Sequence, residues 1–115
     1  MNWNTLNSIE QLAEINQTSN EHPVLLFKHS TRCSISLSAL NRLERNWKES
    51  DSEIIKPFYL DLLNFRSVSN EIASLYQIEH ESPQALIIKN GKCVYVSSHL
   101  GIMYEDILEK AANPA

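Results

Sequence analysis

The sequence predicts an α/β fold, a central mixed sheet with helices on both faces. Three observations carry this. Short apolar runs suited to buried strands alternate with amphipathic stretches of helical period. An Asn90-Gly91 pair joins two of the strand-like runs as a tight hairpin, because a primed turn needs two residues that tolerate positive φ. A chain of 115 residues that is 43% hydrophobic buries one core without staples and is too short for several, so one domain over residues 1–115 is expected. The sheet then has four strands, or five if Trp3 to Leu6 adds a short one.

In chain order, Ser8 to Gln17 places Ile9, Leu12, Ala13 and Ile15 among polar residues, and Ser8 followed by Gln11 suits a capping box at a helix start. Val24 to His29 follows a proline as a compact apolar run and reads as a buried strand. From Cys33 to about Lys48, Leu37, Leu40, Leu43 and Trp47 fall near one helical face, with Asn41, Arg42, Arg45 and Lys48 on the other. Cys33 therefore stands at a helix N-terminus.

Ile54 to Asp61 is the next strand, with Ile54, Phe58 and Leu60 on one side. Pro57 lacks a ladder donor, so an edge or poorly covered position is expected for it. Val68, Ile72 and Leu75 form the apolar stripe of a second long helix ending near Tyr76. Gln84 to Lys89 and Lys92 to Ser97 are the hairpin strands, and Tyr104 to Ala111 closes the chain as a short amphipathic helix.

The bulk charge narrows the partners. A net charge of -4 argues against a nucleic-acid surface, because phosphate binding draws on clustered Lys and Arg. The aliphatic runs "VLLF" and "ALII" are far too short to cross a bilayer, and the start has neither a basic leader nor an apolar core, so a cytoplasmic protein with no membrane partner is expected. Two cysteines make no disulfide framework. With four scattered histidines they contain no C-x-x-C or H-x-x-x-H pair, so no metal site is expected.

The segment "FKHSTRCSIS", the later "NEIASLYQI", and "IEHESPQALIIKNGK" resemble the thioredoxin superfamily, and within it the YtxJ-like monothiol bacilliredoxins of the bacillithiol system. The likeness spans most of the chain. That group often has proline directly after the cysteine, where this chain has Ser34, and a small residue where it has Arg32. The resemblance implies a thioredoxin-like fold with a cis-proline at Pro83 beside the reactive Cys33, whereas the default for an X-Pro bond is trans. Ser82 would then present backbone groups to an extended substrate segment, as an added strand pairs with a sheet edge, and Ser34 would lie in the same groove.

A thiol reacts as its thiolate, which the free N–H groups and positive dipole end of a helix N-terminus favour. Arg32 adds a full charge next to Cys33, His29 another when protonated, and the hydroxyls of Ser30, Thr31 and Ser36 are candidate donors to sulfur. The plainer reading makes Cys33 a small buried hydrophobe. The flanking strand, helix start and downstream proline favour the reactive one. Ser36 stands where a dithiol oxidoreductase carries its resolving cysteine, so a C-x-x-S pair cannot close an internal disulfide and an external thiol must discharge the adduct. Ser36 is equally an ordinary first-turn serine, and Cys93, in a hairpin strand, is expected to be structural.

Three function classes follow. The leading one is a monothiol thiol-disulfide oxidoreductase with no bound cofactor. Its partners would be S-thiolated client proteins and a low-molecular-weight thiol, which the resemblance implies to be bacillithiol. The second is an iron-sulfur carrier like monothiol glutaredoxins, although Ser34 and Ile35 replace the glycine and phenylalanine that follow the cysteine there. The third is a binding module that keeps the fold without catalysis. His22, His80 and His99 read as solvated loop residues, and Asp61 and Glu81 as acidic residues at strand or loop ends.

Overall fold

The computed structural model describes residues 1–112. Its strands are β1 (Asn4–Thr5), β2 (Val24–His29), β3 (Lys56–Asp61), β4 (Gln84–Lys89) and β5 (Lys92–Ser98). Its helices are α1 (Gln11–Thr18), α2 (Ser34–Asn46), α3 (Asp51–Ile54), α4 (Arg66–Tyr76) and α5 (Tyr104–Ala112), with a short 3₁₀ turn at His99–Gly101. The five strands stand in the order β1-β3-β2-β4-β5. β3 runs parallel to β1 and β2, and β4 runs antiparallel to β2 and β5, giving the expected mixed sheet with its short fifth strand.

Every residue of β2 is buried because this central strand is covered on both faces. Leu26 and Val24 turn to one side, where Leu12 and Ile15 of α1 and Val68, Ile72 and Tyr76 of α4 pack. Leu25 and Phe27 turn to the other, against Ala39 and Leu43 of α2, Trp47, and Ile107 and Ala111 of α5. Side chains alternate along a strand, so two cores share one sheet.

Several boundaries differ from the sequence reading for identifiable reasons. The first helix begins at Gln11, but the Ser8–Gln11 pair acts as expected in one respect: the Ser8 N–H donates to Gln11 Oε1 at 3.0 Å. In α2, Leu37 is exposed and Ser36 is buried in its place. Ser36, Leu40, Leu43 and Trp47 keep the helical period, so the inward stripe is one residue off the all-apolar choice. In α4, Tyr76 is buried and Leu75 exposed, and the Tyr76 hydroxyl donates to Asn16 Oδ1 at 2.5 Å.

The third strand begins at Lys56. Ile54 belongs instead to α3, whose Asp51 carboxylate accepts from the Lys48 N–H at 2.8 Å and from the Tyr104 hydroxyl at 2.6 Å, folding the chain into a turn before the strand. That bond and burial raise the Tyr104 hydroxyl to about 12. β3 is not an edge strand, yet β1 reaches only Phe58 and Tyr59. The Pro57 carbonyl accepts from Asn4 Nδ2 at 3.2 Å, and since N–H and C=O of a strand residue point the same way, the missing donor of Pro57 faces this thinly covered flank. The hairpin turn is as expected, with Asn90 at φ 51° and Gly91 at φ 73°.

Candidate functional site

The polypeptide leaves the central strand at His29 and reaches Cys33 through a turn in which the Cys33 N–H donates to the Ser30 carbonyl at 3.2 Å. Cys33 is the N-cap of the 13-residue α2, with extended φ -110° and ψ 121°, and its carbonyl accepts from the Leu37 N–H at 3.0 Å. Its thiol is free and half-buried. Cys33 thus stands at the start of the first helical turn, whose N–H groups lack intrahelical acceptors, and its side chain makes no capping hydrogen bond with them.

Thr31 and Arg32 are exposed on the turn, and with Leu63 and Asn64 they line an open cleft of about 340 Å³. Ser34 is exposed at the first helical position. The Ser82–Pro83 peptide is cis. Lys28 pairs with Gln84 across β2 and β4, so the same register extended by one residue sets Pro83 against His29, at the end of the sheet from which the chain continues to Cys33. Pro83 is buried, Ser82 is half-buried, and the Pro83 carbonyl accepts from the His99 N–H at 3.0 Å. The Ser82 hydroxyl is buried with no partner, as is one oxygen of Asp61.

Two expectations are corrected. Ser36 does not serve the sulfur: it is fully buried, its Oγ lies 2.7 Å from His29 Nδ1, and it accepts from the Ser30 N–H at 3.0 Å. Burial disfavours a positive charge on His29. It is only 3% exposed, and burial lowers its pKa below the ordinary value against the opposing pull of Asp61. When the imidazole carries its proton on Nε2, Nδ1 accepts from the Ser36 hydroxyl, which also receives the Ser30 N–H. These two residues brace the Ser30–Cys33 turn from beneath.

Cys93 lies elsewhere. It pairs with Ile88, which pairs with Val24 at the start of β2, whereas Cys33 follows the end of that strand. The strand alone separates them by roughly 16 Å, far beyond the Cα separation of about 7 Å that a disulfide tolerates. Cys93 packs against the α1/α4 core, its thiol donates to the Tyr95 carbonyl at 3.4 Å, and burial pushes its pKa up.

The sequence reading missed Lys28 and undervalued His80. Lys28 is completely buried on the α4 side of β2, its Nζ 3.1 Å from the Ser69 carbonyl and 3.3 Å from His80 Nδ1. The available signal was alternation: with Val24 and Leu26 facing the core, Lys28 must follow them inward. His22 is an exposed loop residue, His99 is exposed at the start of the 3₁₀ turn, and Glu81 is exposed. Among the described residues, no three His, Cys, Asp or Glu gather as metal ligands would, and no helix is long and apolar enough to cross a membrane.

This arrangement has solved counterparts. A protein described as a candidate oxidoreductase with a thioredoxin fold is 31% identical and superposes with a TM-score of 0.77, covering 92% of this chain and 90% of its own. Thioredoxin from Malassezia sympodialis matches at a TM-score of 0.74 and 13% identity over 96% of this chain and 88% of its own. Thioredoxin from Fasciola hepatica matches at 0.68 and 15% over 93% and 94%. These last two establish the fold alone. The family model of the monothiol bacilliredoxin BrxC matches residues 4–107, a span running from β1 into α5 and including both Cys33 and the cis-proline. With that fold and that match, the chain belongs to the monothiol bacilliredoxin family of thiol oxidoreductases.

Proposed function

We propose that the protein removes bacillithiol from S-bacillithiolated proteins in the cytoplasm by a monothiol route through Cys33. The Cys33 thiolate attacks the bacillithiol sulfur of the mixed disulfide, forming a Cys33–bacillithiol disulfide and releasing the client cysteine as its thiolate, which takes up a proton. A second bacillithiol thiolate then attacks the adduct, giving bacillithiol disulfide and restoring Cys33. Each step exchanges one S–S bond for another, so electrons balance without a further oxidant.

The observation that carries this reading is the distribution of sulfur: a half-exposed thiol stands at the N-cap position of α2, and Cys93 lies at the opposite end of the sheet. Arg32 supplies positive charge beside the sulfur, with Thr31 on the same turn. Ser36 and His29 hold the turn, and Ser34, Ser82 and Pro83 border the groove for the client segment. Incubation with bacillithiol disulfide followed by mass spectrometry tests the route. One bacillithiol adduct confined to Cys33 and released by added bacillithiol is expected, and Cys33→Ser should carry none. A Cys33–Cys93 disulfide, or an adduct on Cys93 alone, would overturn it.

A further inference from the structure

The exchange chemistry leaves the most unusual side chain of the sheet without a role. Lys28 sits five positions ahead of Cys33 at zero exposure, on the face of β2 opposite His29. A buried cation is costly, and an apolar residue of similar volume is often the more stable choice, so stability alone does not account for it.

Its partners lie on two other elements. The ammonium donates to the Ser69 carbonyl of α4 at 3.1 Å and to His80 Nδ1 at 3.3 Å, and Ser69 Oγ lies 3.3 Å from the same ring nitrogen. An ammonium has no lone pair, so Nδ1 is the acceptor and the imidazole keeps its proton on Nε2. His80 itself is exposed and precedes Pro83 by three residues. The cross-strand partner of Lys28, Gln84, donates through Nε2 to the Glu79 carbonyl at 3.0 Å. Adjacent β2 and β4 residues thus hold the segment Glu79–Pro83 at two successive positions.

We propose that Lys28 is a positioning residue for client binding: its buried ammonium grips α4 through Ser69 and the loop through His80, fixing where Ser82 and Pro83 stand beside Cys33. This rests on the reading that the loop borders the client groove. The charges around the contact agree with it. Burial of the ring, then Lys28 and Arg66, disfavour a proton on His80 against the pull of Glu81, which favours the neutral ring that can accept.

The test compares His80→Ala, which removes the acceptor, with His80→Asn, whose Oδ1 replaces Nδ1, and with Lys28→Met. In His80→Ala, backbone amide exchange across residues 79–82 should rise about tenfold, the loss of one charged hydrogen bond, while amides of α2 and β4 keep wild-type rates. The KM for an S-bacillithiolated protein should rise by a similar factor, and alkylation of Cys33 by iodoacetamide, which needs no groove, should not change. His80→Asn should restore both loop exchange and KM. Lys28→Met should repeat the His80→Ala pattern, and if it does not fold the His80 pair alone decides. Wild-type exchange in the His80→Ala loop, absence of rescue by asparagine, or alkylation falling in step with turnover would overturn the role. If the wild-type protein fails to remove the adduct, the function reading falls, and the exchange data still decide whether Lys28 holds the loop.

Discussion

At the scale of single residues, the turn ahead of Cys33 is braced by a serine whose hydrogen bonds go to His29 and Ser30. Ser36 Oγ joins His29 Nδ1 and the Ser30 N–H, in or beside a first turn of α2 in which Ser36 is the buried residue. Ser36→Ala leaves a ring nitrogen and a backbone donor without partners in place of one hydroxyl, and an unmade buried bond costs about 1–3 kcal/mol. The expected result is a lower melting temperature by a few degrees, with Cys33 adduct formation slowed but retained; calorimetry and adduct kinetics on one preparation check both. Ser36→Cys would add a thiol within the same helical turn as Cys33 and so restore the spacing of a dithiol pair.

Lys28 makes a second prediction at this scale, through linkage. Burial lowers its pKa from 10.5 to about 8, so above pH 8 the folded chain begins to lose this proton while the unfolded chain keeps it until about 10.5. Where the unfolded state binds more protons, stability rises with pH. Between those limits Lys28 therefore adds stability with rising pH, and below pH 8 its contribution is flat. Half-buried Cys93, whose pKa burial raises, acts in the opposite direction as its unfolded thiol ionises. Wild type minus Lys28→Met isolates the lysine: urea midpoints from pH 7 to 10 should move in favour of wild type as pH rises, and parallel curves would contradict the assigned burial.

At the scale of elements, α2 is the one whose first turn decides the chemistry. Ser34 is its first helical residue, a position whose N–H has no intrahelical acceptor and where proline fits because its φ is already helical. Ser34→Pro is expected to raise stability by about 0.4–1 kcal/mol by restricting the unfolded chain, with the Cys33 adduct still formed. Thermal melts and mass spectrometry check this, and a destabilised protein would show that the Ser34 N–H makes a bond that proline removes.

The element types of this chain were legible from period and punctuation, and their inward faces less so. Leu37 and Leu75 were assigned inward because they are apolar, yet Ser36 and Tyr76 hold those places, each bound to a polar partner from another element. The Tyr76–Asn16 pair joins residues 60 apart in sequence and the Ser36–His29 pair crosses from strand to helix, and neither leaves a periodic trace. Alternation along β2 turns Lys28 inward, but its partners Ser69 and His80 lie 41 and 52 residues further on and leave no local trace. Cys33 at the helix start was legible because strand, turn and helix are contiguous there.

For the whole molecule, topology sets the Cys33 thiol and the hairpin turn at opposite ends of the sheet. Lys89 and Lys92 close the hairpin beyond Ile88, the partner of Val24 at the start of β2, whereas Cys33 lies past its end. The turn has its own anchor: the Asn90 N–H donates to the Ser19 carbonyl at 2.9 Å, and the Gly91 N–H to Ser19 Oγ at 2.9 Å, fixing the hairpin to the end of α1. Gly91 adopts φ 73°, and a Cβ there would meet nothing within 4 Å, so a side chain is opposed by the backbone alone. Gly91→Ala should therefore cost about 1–2 kcal/mol, the penalty of a left-handed residue carrying a Cβ. Because that strain enters at the far end, the fraction of Cys33 carrying bacillithiol and the rate of its release should match wild type at temperatures where both are folded. Denaturation midpoints and adduct kinetics measured together check the separation. A slower adduct step without unfolding would mean that the two ends are coupled through β4, the strand that runs from Pro83 to the turn.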